Sequence, residues 1–373
     1  MGTSQEMLGR LPGQLRKAAG IAIGDVLKVK QGERVLIITN PPREVAMISK
    51  ALYDSALERG AEPALMVQPV RSQLDMAGEE VLGALRTDPD VVISISREKL
   101  GKDRHAIKDP IRVEKETYDH YFNYLLGEDR IRSFWSPSVN LDIFQRTVPI
   151  DYEALGDDCF RIKNILDRGD NVHIHAPGGT DIDIGIRGRS AMSDDGDLSK
   201  PGSGGNLPAG ESFISPELKA SRGRIVFDGS IASDRGIIII EDPIECEVEG
   251  GLVTRIEGGD EAKELSDTIS RALETTARFV EDGKLPEDEL DHYITNARNL
   301  GELGIGLNHN ARIVGNMLED EKVYGTCHIA IGANYDNDAR ALIHLDGLIK
   351  TPTIIVSGTA FQETVMRDGK LLI

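Results

Sequence analysis

Cysteine is scarce in this chain of 373 residues: Cys159, Cys246 and Cys327 stand far apart and are odd in number. That excludes a disulfide framework and suits a reducing compartment. No CxxC pair occurs, which removes a zinc ribbon. Phosphate-loop signals are missing too. Neither GxGxxG nor GxxxxGK[ST] follows the first strand-like run, so a nucleotide-binding role has no support. No GxSxG elbow is present for a serine nucleophile, and no HExxH for zincin-type proteolysis. No apolar run approaches the roughly 18 residues a membrane span needs. The opening "MGTSQEMLGRLPGQLRKAAG" has no continuous hydrophobic region with a cleavage site. We therefore expect a cytoplasmic protein.

Positive charge is also in deficit. Lys and Arg total 43 against 62 Asp and Glu, a net charge of −19. So acidic a surface repels phosphate backbones, and nucleic acid is not an expected partner. The surplus is spread along the chain, as on a solvated surface.

What is present divides into two patterns. "RVLIITN" (34–40), "PALMVQPV" (63–70) and "DVVISIS" (90–96) read as strands. A helix-period segment with Pro42 at its start and Gly60 at its stop separates the first two. Such alternation predicts parallel pairing through right-handed crossovers. From about Asn171, strand-like runs joined by glycine-rich turns take over, and "EGGL" around Gly250 and Gly251 predicts a hairpin. The expected fold is an α/β N-terminal domain, residues 1–160. An α+β C-terminal catalytic domain with a largely antiparallel sheet follows, residues 161–373. The segment 190–212 is the longest irregular stretch, rich in turn residues.

Candidate chemistry concentrates in the second part. In "ALIHLDGLI", His344 and Asp346 are two apart and share a face of a strand, with Leu345 on the other. A buried Asp346 would need a cation, an arginine or a hydrogen-bond cage. The alternative is a solvated His-x-Asp on an amphipathic strand. His328 in "TCHIAIG" lies on a strand that a short turn lets pair with the His344 strand. Alone it reads as a core histidine with a satisfied ring, and the pairing gives it weight as a ligand. Imidazoles with a carboxylate suit zinc, cobalt, manganese or iron(II). Glu302, flanked by Gly301 and Gly304 after a helical stretch, reads as a turn or cap residue, or as a buried carboxylate. Glu211 ends the irregular segment and enters an apolar one. His173 and His175 form another i, i+2 pair, read as structural. Cys327 and His328 are adjacent and so face opposite ways, which excludes a Cys–His couple there.

"NLPAGESFISPELKASRGRIVFDGSIA", "GELGIGLNHNARIVGNMLEDEKVYGTCHIAIG" and "HLDG" together resemble the aminopeptidase T family of metallo-aminopeptidases over most of Asp181 to Ile349. The resemblance implies five metal ligands: Glu211, Glu302, His328, His344 and Asp346. It implies two divalent ions (zinc, cobalt or manganese) sharing a water nucleophile, a small peptide substrate and a homodimer. Glu302 would also take a catalytic part. Tyr335, seven residues after His328, matches a family tyrosine near the metals and would stabilise an oxyanion. Only 15 residues separate His328 from His344, a shortened segment. A related branch resembles the dihydroxypyridine ring-opening dioxygenases, which hold a single iron(II) with two histidines and an aspartate. His328, His344 and Asp346 would serve that chemistry as well. A non-catalytic metal-binding homodimer is the remaining alternative.

Overall fold

The β-branched run Arg34–Thr39 sits where its composition puts it, buried as an interior strand of a five-stranded sheet. The computed structural model describes residues 11–72 and 75–373, and the Met1-Gly2 start lies outside them. Arg34–Thr39 pairs in parallel with Glu62–Val67 on one side and Val91–Ser96 on the other. Val91–Ser96 pairs in parallel with Arg132–Pro137, which takes Gly204–Asn206 as a further parallel strand. The helix Arg43–Glu58 starts after Pro42 and buries Val45, Ile48, Ala51, Leu52, Ser55 and Ala56. Those positions recur at 3.6-residue spacing and form the core-facing stripe, which buried Met47, Ser49 and Lys50 widen. Gly60, at φ +76°, supplies the left-handed residue that ends it.

The described residues form two compact units. The first runs up to Tyr152 and includes Gly196–Ala209; the second is Glu153–Asp195 with Gly210–Ile373. A single cut at 160/161 would fall inside the helix Tyr152–Leu166. The irregular segment 190–212 is shared: Gly204–Asn206 joins the sheet of the first unit, and Glu211–Ile214 is a strand of the second.

Two antiparallel sheets make up the second unit. The eight-stranded one contains the hairpin Ile244–Glu249 and Leu252–Glu257. Its turn has Gly250 at φ +56° and Gly251 at φ +74°, the pair of positive angles that a two-residue type I′ turn needs. The seven-stranded sheet runs Gly236–Ile239, Ser230–Ser233, His344–Lys350, Thr326–Gly332, Leu300–Gly306, Glu211–Ile214, Met192–Asp194. Leu300–Gly306 and Thr326–Gly332 are buried at every residue. A strand buried on both faces gives no polar–apolar alternation. No described helix is long and apolar enough to cross a membrane.

Candidate metal centre

Five chemically apt side chains converge because of register. Antiparallel partners share a face. Glu302 lies opposite Ala330, and Ala330 lies opposite Asp346. One row therefore carries two carboxylates on either side of a methyl group. In the next row Gly304 faces His328, and beyond it Gly306 faces Glu211. Gly332 lies opposite His344. The donors occupy one sheet face with glycine or alanine between them, which leaves room for a ligand.

The glycines are filled from outside. A Cβ on Gly304 would lie 2.1 Å from the His328 ring, so the imidazole rests on that backbone. A Cβ on Gly306 would lie 2.2 Å from the Val323 carbonyl oxygen. That bare position admits the 322–323 backbone over the sheet and brings Lys322 down to Glu211.

His328 Nε2 lies 3.3 Å from Glu302 Oε1 and 3.4 Å from Glu211 Oε2. His344 Nε2 lies 3.1 Å from Glu302 Oε2 and 3.2 Å from Asp346 Oδ1. The donor atoms fall into two sets, Glu211–Glu302–His328 and Glu302–His344–Asp346, each close enough to surround one ion. Glu302 belongs to both. His344 Nδ1 donates to the Ala333 carbonyl oxygen at 2.8 Å, which turns Nε2 toward the carboxylates. Among the described residues, Glu211 Oε2 and His328 Nδ1 are buried and make no hydrogen bond, and the buried Asp346 Oδ1 meets only the His344 ring. Buried polar atoms are nearly always paired, so open carboxylate oxygens facing imidazoles mark a place for a cation.

The electrostatics agree. Burial pushes the Glu211 carboxyl up to about 8, against the pull of the Lys322 ammonium. Burial opposes charge on Glu302 as well, yet bonds from His328 and His344 hold it below its ordinary value. Asp346 is likewise disfavoured by burial, and the His344 charge takes it down to about 2. Burial would lower His328, but Glu302 and Glu211 lift it to about 9. Without metal, the carboxylates draw protons onto the imidazoles. A divalent ion would displace those protons, so the donor set fits one.

The structure also places residues that the sequence reading missed. Lys322 has no exposed surface, and its Nζ donates to Glu211 Oε1 at 2.7 Å and to Glu321 Oε1. Asp194 Oδ2 lies 3.6 Å from the same nitrogen. Asp194 is the cross-strand partner of Glu211, one strand further out on the same face. Tyr335 places its ring 5.3 Å from the His344 ring and 5.3 Å from that of Phe213, and it is 53% exposed. Arg189 pins the segment carrying it through Asp336 at 2.7 Å and Asp338 at 2.9 Å. His173 and His175 belong to the other sheet, where His173 Nδ1 meets Asp183 Oδ1 at 3.2 Å. Cys327 is buried on the opposite face from His328.

Over residues 138–371 the chain matches the family described as NicX: 2,5-dihydroxypyridine 5,6-dioxygenase. The match takes in well over half of the sequence, and the chain belongs to that family. Two solved structures have the same fold. One is 2,5-dihydroxypyridine dioxygenase from Pseudomonas putida KT2440, 16% identical over 96% of each chain, with a TM-score of 0.70. The other is wild-type AmpT from Thermus thermophilus, 19% identical over 96% of this chain and 99% of that one, with a TM-score of 0.67. No curated protein matches. The family match points to an enzyme, and the candidate donor groups suit a divalent metal. The resemblance to aminopeptidase T holds as a likeness of fold, while the family match is to NicX.

Proposed function

We propose that this chain is an iron(II)-dependent ring-opening dioxygenase acting on a small dihydroxylated aromatic ring of the dihydroxypyridine type. The family match carries this reading, because residues 138–371 span every donor. His328, His344 and Asp346 would hold the iron, two imidazoles and a carboxylate being a donor set suited to non-haem iron(II) oxygenases. Iron(II), when bound, supplies the one-electron chemistry that lets O2 react with an aromatic ring. The chain does the rest. Ala333 orients His344 through Nδ1. Glu302, held ionised between the two imidazoles, steadies both and can take a proton from a ring hydroxyl at Oε1 or Oε2. Phe213 and Tyr335 form an aromatic pair beside His344 against which a flat ring can stack.

The test is oxygen uptake by protein reconstituted anaerobically with iron(II), using 2,5-dihydroxypyridine and its isomers. We expect one O2 consumed per ring opened and none with zinc. No uptake with any of these rings would sink the reading. One observation favours a second reading, a two-metal aminopeptidase. Glu302 offers one oxygen to each donor set, as a bridging carboxylate would. That reading expects about two zinc, cobalt or manganese ions per chain and release of N-terminal residues from short peptides. A homodimeric state is part of either reading, and light scattering on the purified protein tests it.

A further inference from the structure

We propose that Lys322 is a built-in cation standing in for a second metal ion, so that it sets the centre to load one divalent ion per chain. The inference rests on the metal-centre reading above, and a one-ion centre excludes the two-metal form of it.

A buried ammonium is costly unless carboxylates surround it. Lys322 has three: Glu211 and Glu321 by hydrogen bond, and Asp194 at 3.6 Å. Its position is built in. The bare Cα of Gly306 lets the 322–323 backbone close over the sheet, and any side chain there would strike it. Glu211 is thereby divided. Oε1 is taken by the ammonium, and Oε2 is left open beside His328. Glu321, which could otherwise turn a carboxylate toward a metal, is also held by Lys322. The donor set Glu302–His344–Asp346 contains no group that Lys322 binds. His344 and Asp346 are free to take an ion together with His328, while Glu211 already faces a fixed positive charge. A divalent ion beside that ammonium would meet direct repulsion at short range. Lys322 acts through Glu211 and Glu321, so it is a positioning residue and makes no contact with substrate in this account.

The experiment loads metal-free protein with Mn2+ and reads ions per chain by elemental analysis and titration. Electron paramagnetic resonance on the same samples distinguishes an isolated ion from a coupled pair. Wild type and Lys322→Arg should each bind one isolated ion. Lys322→Met should bind two, with the broadened signal of coupled neighbours. Wild type binding two would overturn the inference, as would a folded Lys322→Met that still binds one. Lys322→Met that folds only when Mn2+ is supplied, at two ions per chain, would support it, because the metal then replaces the ammonium. Failure to fold with or without Mn2+ would overturn it and leave Lys322 a structural pin. One isolated Mn2+ in wild type, with no oxygen uptake when the same protein is reconstituted with iron(II) and given the ring substrates, would remove the dioxygenase reading and leave this inference standing.

Discussion

Two clusters of buried charge, one in each unit, are handled in opposite ways. In the first, Asp103 has no exposed surface, and its carboxylate accepts from the backbone N–H groups of His105, Ala106 and Tyr121 at 2.9, 3.1 and 3.2 Å. Arg132, also buried, donates to the Leu27 carbonyl oxygen at 2.8 Å and pairs with Glu33. Both charges are closed off by the chain itself. In the second unit, Glu211 keeps a buried oxygen without a hydrogen bond among the described residues, Asp346 Oδ1 meets only the His344 ring, and His328 keeps a bare ring nitrogen. Closed charges serve the fold. Open ones, facing one another across small residues, reserve a position for something the chain does not supply.

The largest test of that contrast removes the shared carboxylate. Glu302→Ala, and separately His344→Ala, should lower metal affinity by more than about 100-fold and abolish turnover, because each deletes a donor and not merely a supporting contact. Circular dichroism should report a retained fold. Metal content unchanged by either substitution would break the comparison, since an open polar atom would then have no ligand to wait for.

Gly304→Ala comes next. The added methyl would lie 2.1 Å from the His328 imidazole, so the ring must rotate or rise. We expect roughly a 10- to 100-fold loss of metal affinity from this second position alone. Titration of the metal-free variant measures it. Wild-type affinity would mean that His328 is not held in place by that backbone.

Much of this arrangement was readable in the sequence, and the failures have physical causes. His344 and Asp346 declared themselves because period-two spacing puts both on one strand face, and the structure brings their donor atoms to 3.2 Å. Pairing of the His328 and His344 strands followed from the short connection between them. Glu302 was harder. "LGELGIG" reads as turn material because it carries three glycines, yet it is a fully buried strand. Its glycines are there because neighbours occupy the space of a side chain: the His328 ring over Gly304 and the 322–323 backbone over Gly306. Lys322 was invisible. "EDEK" (319–322) has the composition of a solvated turn, but Glu319 caps Arg312 N, Asp320 accepts from Val314 N and Ser230 Oγ, and Lys322 lies inside. Local sequence cannot say that these charges turn inward, because their partners come from the folded 312–315 loop and from Ser230 and Glu211 on distant strands.

The closed side of the comparison predicts a stability effect with no effect on metal. Asp103→Ala removes three backbone partners at once and should cost about 2 kcal/mol, read as a lower melting temperature with metal content unchanged. Burial would raise the Asp103 carboxyl, but the N–H groups of Ala106, Tyr121 and His105 bring it below its ordinary 3.8. A depressed folded-state value gives stability that is present above about pH 4 and is lost as pH falls through the folded value. The gap in melting temperature between wild type and Asp103→Ala should therefore be widest near neutral pH and shrink on acidification below pH 4. A gap that stays constant would mean the carboxylate's charge contributes nothing.

The smallest expected effect is the sharpest check on what makes a site. His173 faces Asp183 at 3.2 Å and Asp181 at 3.7 Å on the eight-stranded sheet, with His175 beside it. The residue types match those of the metal centre. The setting does not: these side chains are substantially exposed, water can satisfy them, and no oxygen is trapped without a partner. Exposed pairs of this kind contribute less than about 1 kcal/mol. His173→Ala should leave metal stoichiometry, turnover and melting temperature close to wild type. If it instead lowered metal content, residue type and proximity alone would suffice to bind an ion here. The distinction between closed, solvated and open charge would then lose its power to locate function in this fold.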